Sequence, residues 1–462
     1  MIPAWALSFA GGMHDRVRRH LFPGDGLEAA AILVCTRTPG PRQRLLVRDA
    51  VLVPHEACVL REPDRIIWPG HWIERAIDLA EAQDLSLVLI HSHPGGLFAF
   101  SEADDQSDRR VVPGLFQSHG DIHGSAIMVP DGRVRARLYD ADGATWPIDL
   151  VSVIGDDITF IWSERDLLTA KRPTAFSSEM TRELGRLRAA VIGVSGTGSI
   201  IAEQAARLGF GGIDLIDFDR VEGRNLNRIL NATRHDAEQL RLKVDMCADA
   251  ITRYRGGAVA SAVPASIATR KAVLAASQAD VLFCCVDTLE GRQIADFMAQ
   301  AFLLPLFDMG VVIPVRKDGE GVAIADVCGR IDYVQPGGST LLDRHVYSPA
   351  SLRAEYLRRI APDAHIQELE AGYIKGMVEE APSVITLNMR AAAAAMNEFI
   401  ARAYPFRLEP NCRYARTTFS LAACEEEYVM EESFMRSDLG ILAYGDGEPL
   451  LGLPMLKLPR NS

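Results

Sequence analysis

The 462-residue sequence lacks three features that mark common classes of protein. None of its eight cysteines forms a Cys-x-x-Cys pair, which argues against a structural zinc knuckle, and unpaired thiols favour a reducing, cytoplasmic location. Its apolar runs are far shorter than a membrane span, and no basic segment with an apolar core opens it, so we expect no membrane anchor and no secretory signal. An excess of positive charge is also lacking, since 61 acidic residues outnumber 49 basic ones. The resulting formal net charge of −12 argues against a nucleic-acid groove.

The length predicts two or three domains, and the first 162 residues have the pattern of a mixed α/β unit. Apolar segments typical of strands occur at 27–36, 44–53 and 85–93. Residues 72–84 have helical spacing, and Asp131-Gly132 indicates the turn of a hairpin.

The remainder of the chain, 163–462, has a different pattern. A polar stretch at 163–179 is typical of a linker. Beyond it, apolar strands alternate with helical patterns, which predicts a Rossmann-like, mainly parallel α/β unit. These strands are expected at 188–194, 211–219 and 279–287.

Two histidines stand one residue apart in the string HSHPGGLFAFSEADD, residues 91–105. Side chains alternate along a strand, so His91 and His93 point to the same face, where Asp104 can complete a set of three metal ligands. Three protein ligands leave one position for water, as in catalytic zinc sites. Another interpretation is structural, since Ser101-x-x-Asp104 also fits a helix-capping box. Four residues at fixed spacing favour the metal site.

This H-x-H-x7-S-x-x-D string resembles the JAMM motif of JAB/MPN-type metalloproteases, over about residues 5–160. That family cleaves peptide or isopeptide bonds after ubiquitin-like proteins. The resemblance implies a cytidine-deaminase-like α/β fold, with Zn²⁺ bound by His91, His93 and Asp104. It also implies that Ser101 helps to stabilise the tetrahedral intermediate.

The same resemblance implies a glutamate upstream that acts as general base on the hydrolytic water. Glu28, in the segment GLEAAAILV, matches the place of this residue in bacterial members. Glu56, in VPHEACVL, is the competing candidate. A carboxylate at a solvated strand edge is the structural alternative for Glu28.

A second motif, VIGVSGTGS at 191–199, follows a predicted strand. Glycines at such a place permit a tight turn and let a phosphate approach backbone N–H groups at a helix start. Asp219 lies about twenty residues beyond the loop, where the ribose-binding acid of dinucleotide-binding proteins belongs. The motif alone therefore leaves NAD and ATP open.

The following string, DFDRVEGRNLNR, resembles the ThiF/MoeB/HesA family, the fold of ubiquitin-activating enzymes, over about residues 165–405. Those enzymes adenylate the C-terminal carboxylate of a ubiquitin-like protein with ATP and Mg²⁺. The resemblance implies homodimers, in which an arginine can be lent to the neighbouring site; Arg172 is a candidate for this role, although a plain linker arginine explains it better. It also implies a set of nucleotide-binding residues: Gly193, Gly196 and Gly198 in the ATP loop, Asp219 on the ribose, Asn225, Arg228 and Lys243 on the phosphates, and Asp287 on Mg²⁺.

Activating enzymes that conjugate their substrate also carry a catalytic cysteine. Where related sequences place it, this chain has Ser339 and Thr340, and a hydroxyl is a poor replacement for a thiol. Cys328 is the nearest thiol and is the candidate nucleophile, although a buried apolar role explains it equally well. Cys412 and Cys424 are more distant.

Taken together, the two resemblances predict a bifunctional enzyme of a bacterial ubiquitin-like conjugation system. One unit would cleave after the modifier and the other would adenylate its C-terminus, with a conjugating-enzyme-like protein as a partner. A role in antiviral defence follows by analogy of fold alone. Two alternatives stay open: a peptide or sulfur-carrier adenylyltransferase with a carrier-trimming protease, and a binding scaffold with both sites inactive.

Overall fold

A computed structural model of the chain describes residues 2, 4–163, 172–257, 259–318, 321–361 and 384–458. The segment predicted as a linker, 163–179, lies partly outside this set, because residues 164–171 are not described. Two large sheets organise the molecule, one on each side of that segment. The predicted order of a mixed α/β unit followed by a mainly parallel one is confirmed.

The N-terminal unit is built from short strands and three helices within the described residues. Its strands are β1 (Trp5–Ala10), β2 (Ala30–Arg37), β3 (Gln43–Leu52), β4 (Leu60–Glu62), β5 (Arg65–Ile67), β6 (Ser86–Ser92), β7 (Ile122–Met128), β8 (Val134–Asp140), β9 (Thr145–Pro147), β10 (Leu150–Ile154) and β11 (Ile158–Trp162). Its helices are α1 (Gly11–Leu21), α2 (His71–Ala80) and α3 (Glu102–Leu115).

Nine of these strands form one mixed sheet in the order β11-β10-β1-β3-β2-β6-β7-β8-β9, and β4 and β5 pair as a separate hairpin. The central strand β2 is buried along almost its whole length because its two faces pack into different cores. Ala31 and Leu33 face the core under α1, whereas Ile32 and Val34 face the core under α2. This alternation explains why its sequence is continuously apolar.

The C-terminal unit alternates strands and helices. Its strands in the described ranges are β12 (Arg188–Ile192), β13 (Gly212–Ile216), β14 (Ala260–Val263), β15 (Val281–Cys284), β16 (Leu306–Val312), β17 (Val315–Asp318), β18 (Gly321–Ile324), β19 (Cys328–Val334), β20 (Arg416–Ser420) and β21 (Glu425–Val429). Its helices are α4 (Ser178–Leu184), α5 (Gly196–Leu208), α6 (Arg234–Glu238), α7 (Lys243–Arg255), α8 (Arg270–Ala276), α9 (Leu289–Ala301), α10 (Pro349–Ile360) and α11 (Ile385–Ala403).

The sheet of this unit has the order β14-β13-β12-β15-β16-β19-β20-β21, and β17 and β18 form a separate hairpin. The first five strands are parallel, and the last three are added antiparallel. The chain moves outward from β12 to one side through β13 and β14, and later to the other side through β15 and β16. The crevice at the carboxyl ends of β12 and β15 is therefore a topological switch point, where open α/β sheets bind ligands.

The two units share a hydrophobic core. Phe160 and Trp162 on β11 pack in the same buried cluster as Leu187 and Phe210 of the second unit. The indole N–H of Trp162 donates to Glu183 Oε2 at 2.9 Å across the boundary.

Polar contacts join the units at a second place. Arg42, in the turn before β3, pairs with Asp280 at 2.7 Å, and both side chains are at most 9% exposed. The neighbouring Arg44 donates to the carbonyl oxygens of Ala279 and Ser277. We therefore expect the two units to unfold together.

The sequence also raised two points about the whole chain, its membrane-spanning potential and the state of its cysteines. No helix of the described ranges is long and apolar enough to span a membrane. All eight cysteines lie within the described residues and are free thiols.

Candidate metal centre and candidate nucleotide site

The two histidines of the first motif lie at the carboxyl end of β6 and their side chains meet. His91 Nε2 lies 3.0 Å from His93 Nε2. Both nitrogens also face the Asp104 carboxylate, with His91 Nε2 3.0 Å from Oδ1 and His93 Nε2 3.4 Å from Oδ2. Three potential ligand atoms thus converge on one point, as the strand geometry predicts.

The orientation of His93 is fixed by its backbone and by its other ring nitrogen. Nδ1 lies 2.8 Å from the carbonyl oxygen of Leu97, which accepts a hydrogen bond and so selects the tautomer protonated at Nδ1. The His93 amide donates to Met128 O at 2.8 Å. His93 Nε2 is thereby turned towards His91 and Asp104, the orientation that a metal-binding imidazole needs.

Ser101 and Asp104 combine the two roles that the sequence posed as alternatives. Ser101 is the N-cap of α3, its Oγ accepts from the Asp104 amide at 3.2 Å, and Asp104 Oδ2 accepts from the Ser101 amide at 2.6 Å. Burial alone would raise the pKa of the Asp104 carboxyl, but hydrogen bonds from the two histidines outweigh it and hold the pKa well below its usual range. The capping box thus aims a charged carboxylate at the histidines.

Glu28 lies beside this cluster. It precedes β2, and the pairing of Ala30 with His91 places Glu28, two residues earlier, on the same face as the histidines. One carboxylate oxygen lies within 4.8 Å of the ligand nitrogens of His91 and His93. The side chain is buried, and burial raises the pKa of the carboxyl. Glu56 is exposed, in the short 3-10 turn His55–Ala57.

The donor set fits a zinc ion. Two imidazole nitrogens and the Asp104 carboxylate are of the types that zinc prefers, and the Glu28 carboxylate, within 4.8 Å of both nitrogens, could be a further ligand or act on a water molecule. His93 has the hydrogen-bonded second nitrogen that holds metal-binding rings in place.

In the second unit, the loop between β12 and α5 needs its glycines for close approach. Gly193 has φ +87°, a conformation that favours glycine. A Cβ at Gly198 would lie 1.7 Å from the Gly193 carbonyl oxygen, and a Cβ at Gly196 would lie 2.3 Å from Asn388 Nδ2 of α11. These contacts explain why the tight turn into α5 needs glycine, and the turn brings the backbone to the N-terminus of α5, the kind of place where proteins bind phosphates.

An acidic residue that the sequence analysis did not single out holds this loop. Asp217, at the end of β13, is buried and accepts from the Val194 amide at 2.7 Å. It also accepts from the amide of Asp219 at 2.8 Å. The string Asp-Phe-Asp contains both acids, and the first one lies closer to the loop because strand β13 ends directly before it.

Asp219 and Lys243, both predicted site residues, contact each other. Lys243 Nζ lies 2.7 Å from Asp219 Oδ2, and the Lys243 amide donates to Asp219 O at 3.0 Å. Lys243 is buried, whereas the Asp219 side chain is 52% exposed. The pair leaves the carboxylate facing solvent at the crevice and gives the ammonium group a partner.

Asn225 and Arg228 lie in the turn after β13. Asn225 is buried, and its Oδ1 accepts from the Glu222 amide at 3.1 Å, so it shapes the turn. Arg228 is half-buried, and its aliphatic Cδ lies 3.4 Å from the position of a Cβ at Gly196. Arg228 therefore stands directly at the phosphate loop, whereas Asn225 acts on the backbone.

Asp287 lies exposed in the loop between β15 and α9. Buried Arg292 supports this loop by donating to Val286 O at 2.8 Å while it pairs with Asp308. The loop also touches the glycine loop, because a Cβ at Gly193 would lie 3.0 Å from the backbone carbon of Cys285. One solvent-facing carboxylate suits Mg²⁺, which keeps much of its water and is held largely by substrate phosphates.

The remaining predicted residues do not join the nucleotide site. Cys328 starts β19, and both its burial and the adjacent Asp326, which accepts a hydrogen bond from the thiol, raise its pKa to about 11. Ser339 and Thr340 are buried and bonded within the fold. Arg172 donates to Thr159 of the same chain, on β11.

The fold and the two candidate sites define a class of protein, an α/β chain with a candidate metal centre in one unit and a candidate phosphate crevice in the other. Family comparisons make this specific. Residues 11–140 match the model "Prokaryotic homologs of the JAB domain", and residues 170–332 match the ThiF family. The chain is thus a fusion of a prokaryotic JAB-type domain with a ThiF-type domain, as the motifs predicted.

Curated relatives match the second unit. Ubiquitin-like modifier-activating enzyme 5 of Caenorhabditis elegans is 28% identical over 165 residues, which are 32% of this chain and 35% of the relative. The enzyme of the same name from Bombyx mori is 29% identical over 161 residues, which are 32% of this chain and 37% of the relative. The chain spans only about a third of the length of these relatives.

Among solved structures, the chain is similar to Escherichia coli MccB with ATP, at 15% identity and a TM-score of 0.42, covering 56% of this chain and 67% of that one. MccB in complex with N-formylated MccA has 15% identity and a TM-score of 0.44, and the match covers 57% and 69% of the two chains. SeMet PaaA has 16% identity and a TM-score of 0.38, with 55% and 75% covered.

Proposed function

We propose that this chain is a bifunctional enzyme of a bacterial ubiquitin-like conjugation system. Its JAB-type unit would cleave the peptide or isopeptide bond after a ubiquitin-like C-terminus, and its ThiF-type unit would adenylate that C-terminus with ATP. The observation that carries the proposal is the convergence of His91, His93, Asp104 and Glu28 in the same chain as a glycine turn at a helix N-terminus, with Arg228 beside it. Both activities would act at the C-terminal carboxyl group of a modifier: cleavage releases it from an amide, and adenylation activates the free carboxylate.

For the cleavage step, His91, His93 and Asp104 would hold the zinc ion. Zinc supplies Lewis acidity and lowers the pKa of a coordinated water to about 7. Glu28 would accept a proton from the attacking water and pass it to the leaving amine, so that a carboxylic acid and an amine are released. Its burial favours this role because a raised pKa makes a carboxylate a better proton acceptor. The Ser101 hydroxyl would donate to the developing oxyanion.

For the adenylation step, a carboxylate oxygen of the modifier would attack the α-phosphorus of ATP. The bond from this phosphorus to the bridging oxygen breaks, and pyrophosphate leaves. Arg228 and Lys243 would neutralise phosphate oxygens at the start of α5, and Asp219 would bind the ribose. Asp287 would hold Mg²⁺, which neutralises charge on the phosphates.

We also propose a partner, a compartment and an oligomeric state. The activated modifier would pass to a conjugating-enzyme-like partner in the cytoplasm, in a pathway of antiviral defence, and the chain would act as a homodimer. In this proposal the metal centre takes a protein tail and the crevice takes a nucleotide. We therefore assign neither a nucleic acid nor a membrane as a partner.

Metal analysis tests the first activity. We expect the purified chain to contain about one zinc ion per protomer, and His91→Ala and Asp104→Ala to lose it. Zinc retained at full stoichiometry in both variants would refute the ligand set.

Exchange of labelled pyrophosphate into ATP tests the second activity. We expect exchange that requires Mg²⁺ and a protein substrate with a free C-terminal tail. Exchange driven by a short peptide alone would favour the peptide adenylyltransferase. Tighter binding of NAD than of ATP in calorimetry would refute the activating-enzyme function.

A further inference from the structure

Helix α3 carries Asp104 in its first turn, but the apolar contacts of this helix lie at its other end. The buried residues of α3 are Asp108, Val112 and Leu115, so its first two turns bury no apolar side chain. A carboxylate that must meet two histidines within 3.4 Å needs its helix held in position. Polar contacts have to supply that support.

One side chain supplies most of it. Arg137 on β8 donates through Nη1 to Asp105 Oδ1 at 2.6 Å and through Nη2 to Asp108 Oδ2 at 2.6 Å. Its guanidinium carbon also lies 3.8 Å from the ring centroid of Phe100, the residue before the N-cap Ser101. Arg137 therefore contacts the chain on both sides of Asp104.

The sheet positions this arginine. Arg137 pairs with Ser125 on β7, and Ser125 pairs with Leu89 on β6, two residues before His91. Paired residues share a face of the sheet, so Arg137 and His91 project to the same side. Asp108 further accepts from Tyr139 at 2.7 Å and from Ser125, which ties α3 to two strands.

We propose that Arg137 is a positioning residue of the metal centre, one that sets the place of Asp104 relative to His91 and His93. This role rests on the proposed zinc site. Arginine is required because only its planar fork can pair with two carboxylates while its face stacks on a ring. Asp105 and Asp108 share the role as its partners.

The test compares two arginine-to-lysine variants of the full-length protein. Arg137→Lys keeps the charge but loses the fork and the stacking. Arg37→Lys is the matched control, because Arg37 is equally buried and also pairs with an aspartate and a serine, Asp121 and Ser86, but does not contact α3. Zinc affinity is measured by competition with a chelator, ligand geometry by the visible spectrum of the cobalt(II) form, and stability by thermal unfolding of the metal-free chain.

We expect Arg137→Lys to bind zinc about 10-fold more weakly, which is at the low end of the losses for residues that support metal ligands, and to change the cobalt spectrum. Arg37→Lys should retain wild-type affinity and spectrum at a similar loss of stability. Wild-type affinity in Arg137→Lys, or an equal loss in Arg37→Lys, would overturn the role.

Should Arg137→Lys fail to fold, Asp105→Asn removes one of the two ion pairs at a half-buried position. Weaker zinc binding is expected there as well, and wild-type binding by this folded variant would overturn the role. A wild-type chain that binds no zinc would instead refute the metal centre itself.

Discussion

The metal centre and the nucleotide crevice are built in opposite ways. His91, His93 and Asp104 already contact one another, and they come from a strand end and the first turn of a helix, with His91 and Asp104 only thirteen positions apart. The crevice spreads over four segments, and Asp287 stays exposed. A small ion needs ligands at fixed short distances, whereas a nucleotide brings its own charges and is met by groups along its length. If both candidate sites act as proposed, the ligands of the first would be in place before the ion binds, whereas the second would be completed by its substrate.

The largest effect is expected at the metal centre. Glu28→Gln should reduce cleavage by about 10²–10⁴-fold and keep zinc, because a general base is lost while the ligands remain. Cleavage of a modifier fusion and metal content are measured on the same preparation. Glu56→Gln is the matched control and should be fully active; the reverse result would transfer the role to Glu56.

The second-largest effect is expected at the nucleotide crevice. Arg228→Ala should lower pyrophosphate exchange by about 10²–10³-fold, because a cation at the phosphate loop is removed, and should leave zinc binding and cleavage unchanged. Arg224→Ala, an exposed arginine of the same turn, is the control. If Arg228→Ala also abolished cleavage, the two sites would be coupled and the contrast between them would fail.

A smaller effect, on the free energy of unfolding, is expected from a substitution at the boundary between the two units. Arg42→Ala leaves buried Asp280 without its ion-pair partner, and we expect a loss of about 3 kcal/mol in the free energy of unfolding, within a single denaturant transition. Arg16→Ala, which breaks an exposed pair with Asp49, should cost about 0.5 kcal/mol. Two separate transitions in the wild-type chain would contradict a shared core.

The smallest effect is expected at Cys328. Its pKa of about 11 leaves only about one thiol in a thousand ionised at pH 8, and reactivity should rise with pH because the thiolate is the nucleophile. Iodoacetamide should modify exposed Cys424 first, as followed by mass spectrometry. Because ionisation at this thiol is suppressed, we expect no thioester on Cys328, and Cys328→Ala should change pyrophosphate exchange by less than about twofold. A dithiothreitol-sensitive adduct with the modifier that disappears in this variant would show that Cys328 is the nucleophile and contradict the prediction.

Much of the fold follows from local patterns. The apolar segments 27–36, 44–53 and 85–93 match β2, β3 and β6 within a few residues, and the turn at Asp131-Gly132 joins β7 and β8. Period-two and helical spacing need no tertiary information. The sequence patterns did not predict that β19, β20 and β21 extend the sheet as antiparallel strands. β19 and β20 are separated in the chain by α10 and α11, so no local pattern indicates that they pair.

Candidate residues were predictable to a similar degree. Strand alternation placed His91 and His93 on one face, and the motif added Asp104 and Glu28. Asp217 could have been found from its place beside Asp219, as the acid that directly ends the strand. Arg137 could not, because its partners Asp105 and Asp108 lie about thirty residues away and nothing in the spacing joins β8 to α3.

The sequence by itself determined the two units, their order, and the residue types at both sites, because motif chemistry depends on short spacings along one chain. Only the tertiary structure decided which groups meet. The packing of β11 against the second unit joins the two units through one buried cluster, and Arg137 of β8 meets Asp105 and Asp108 of α3. These outcomes depend on burial and on contacts between distant segments, which local spacing does not encode.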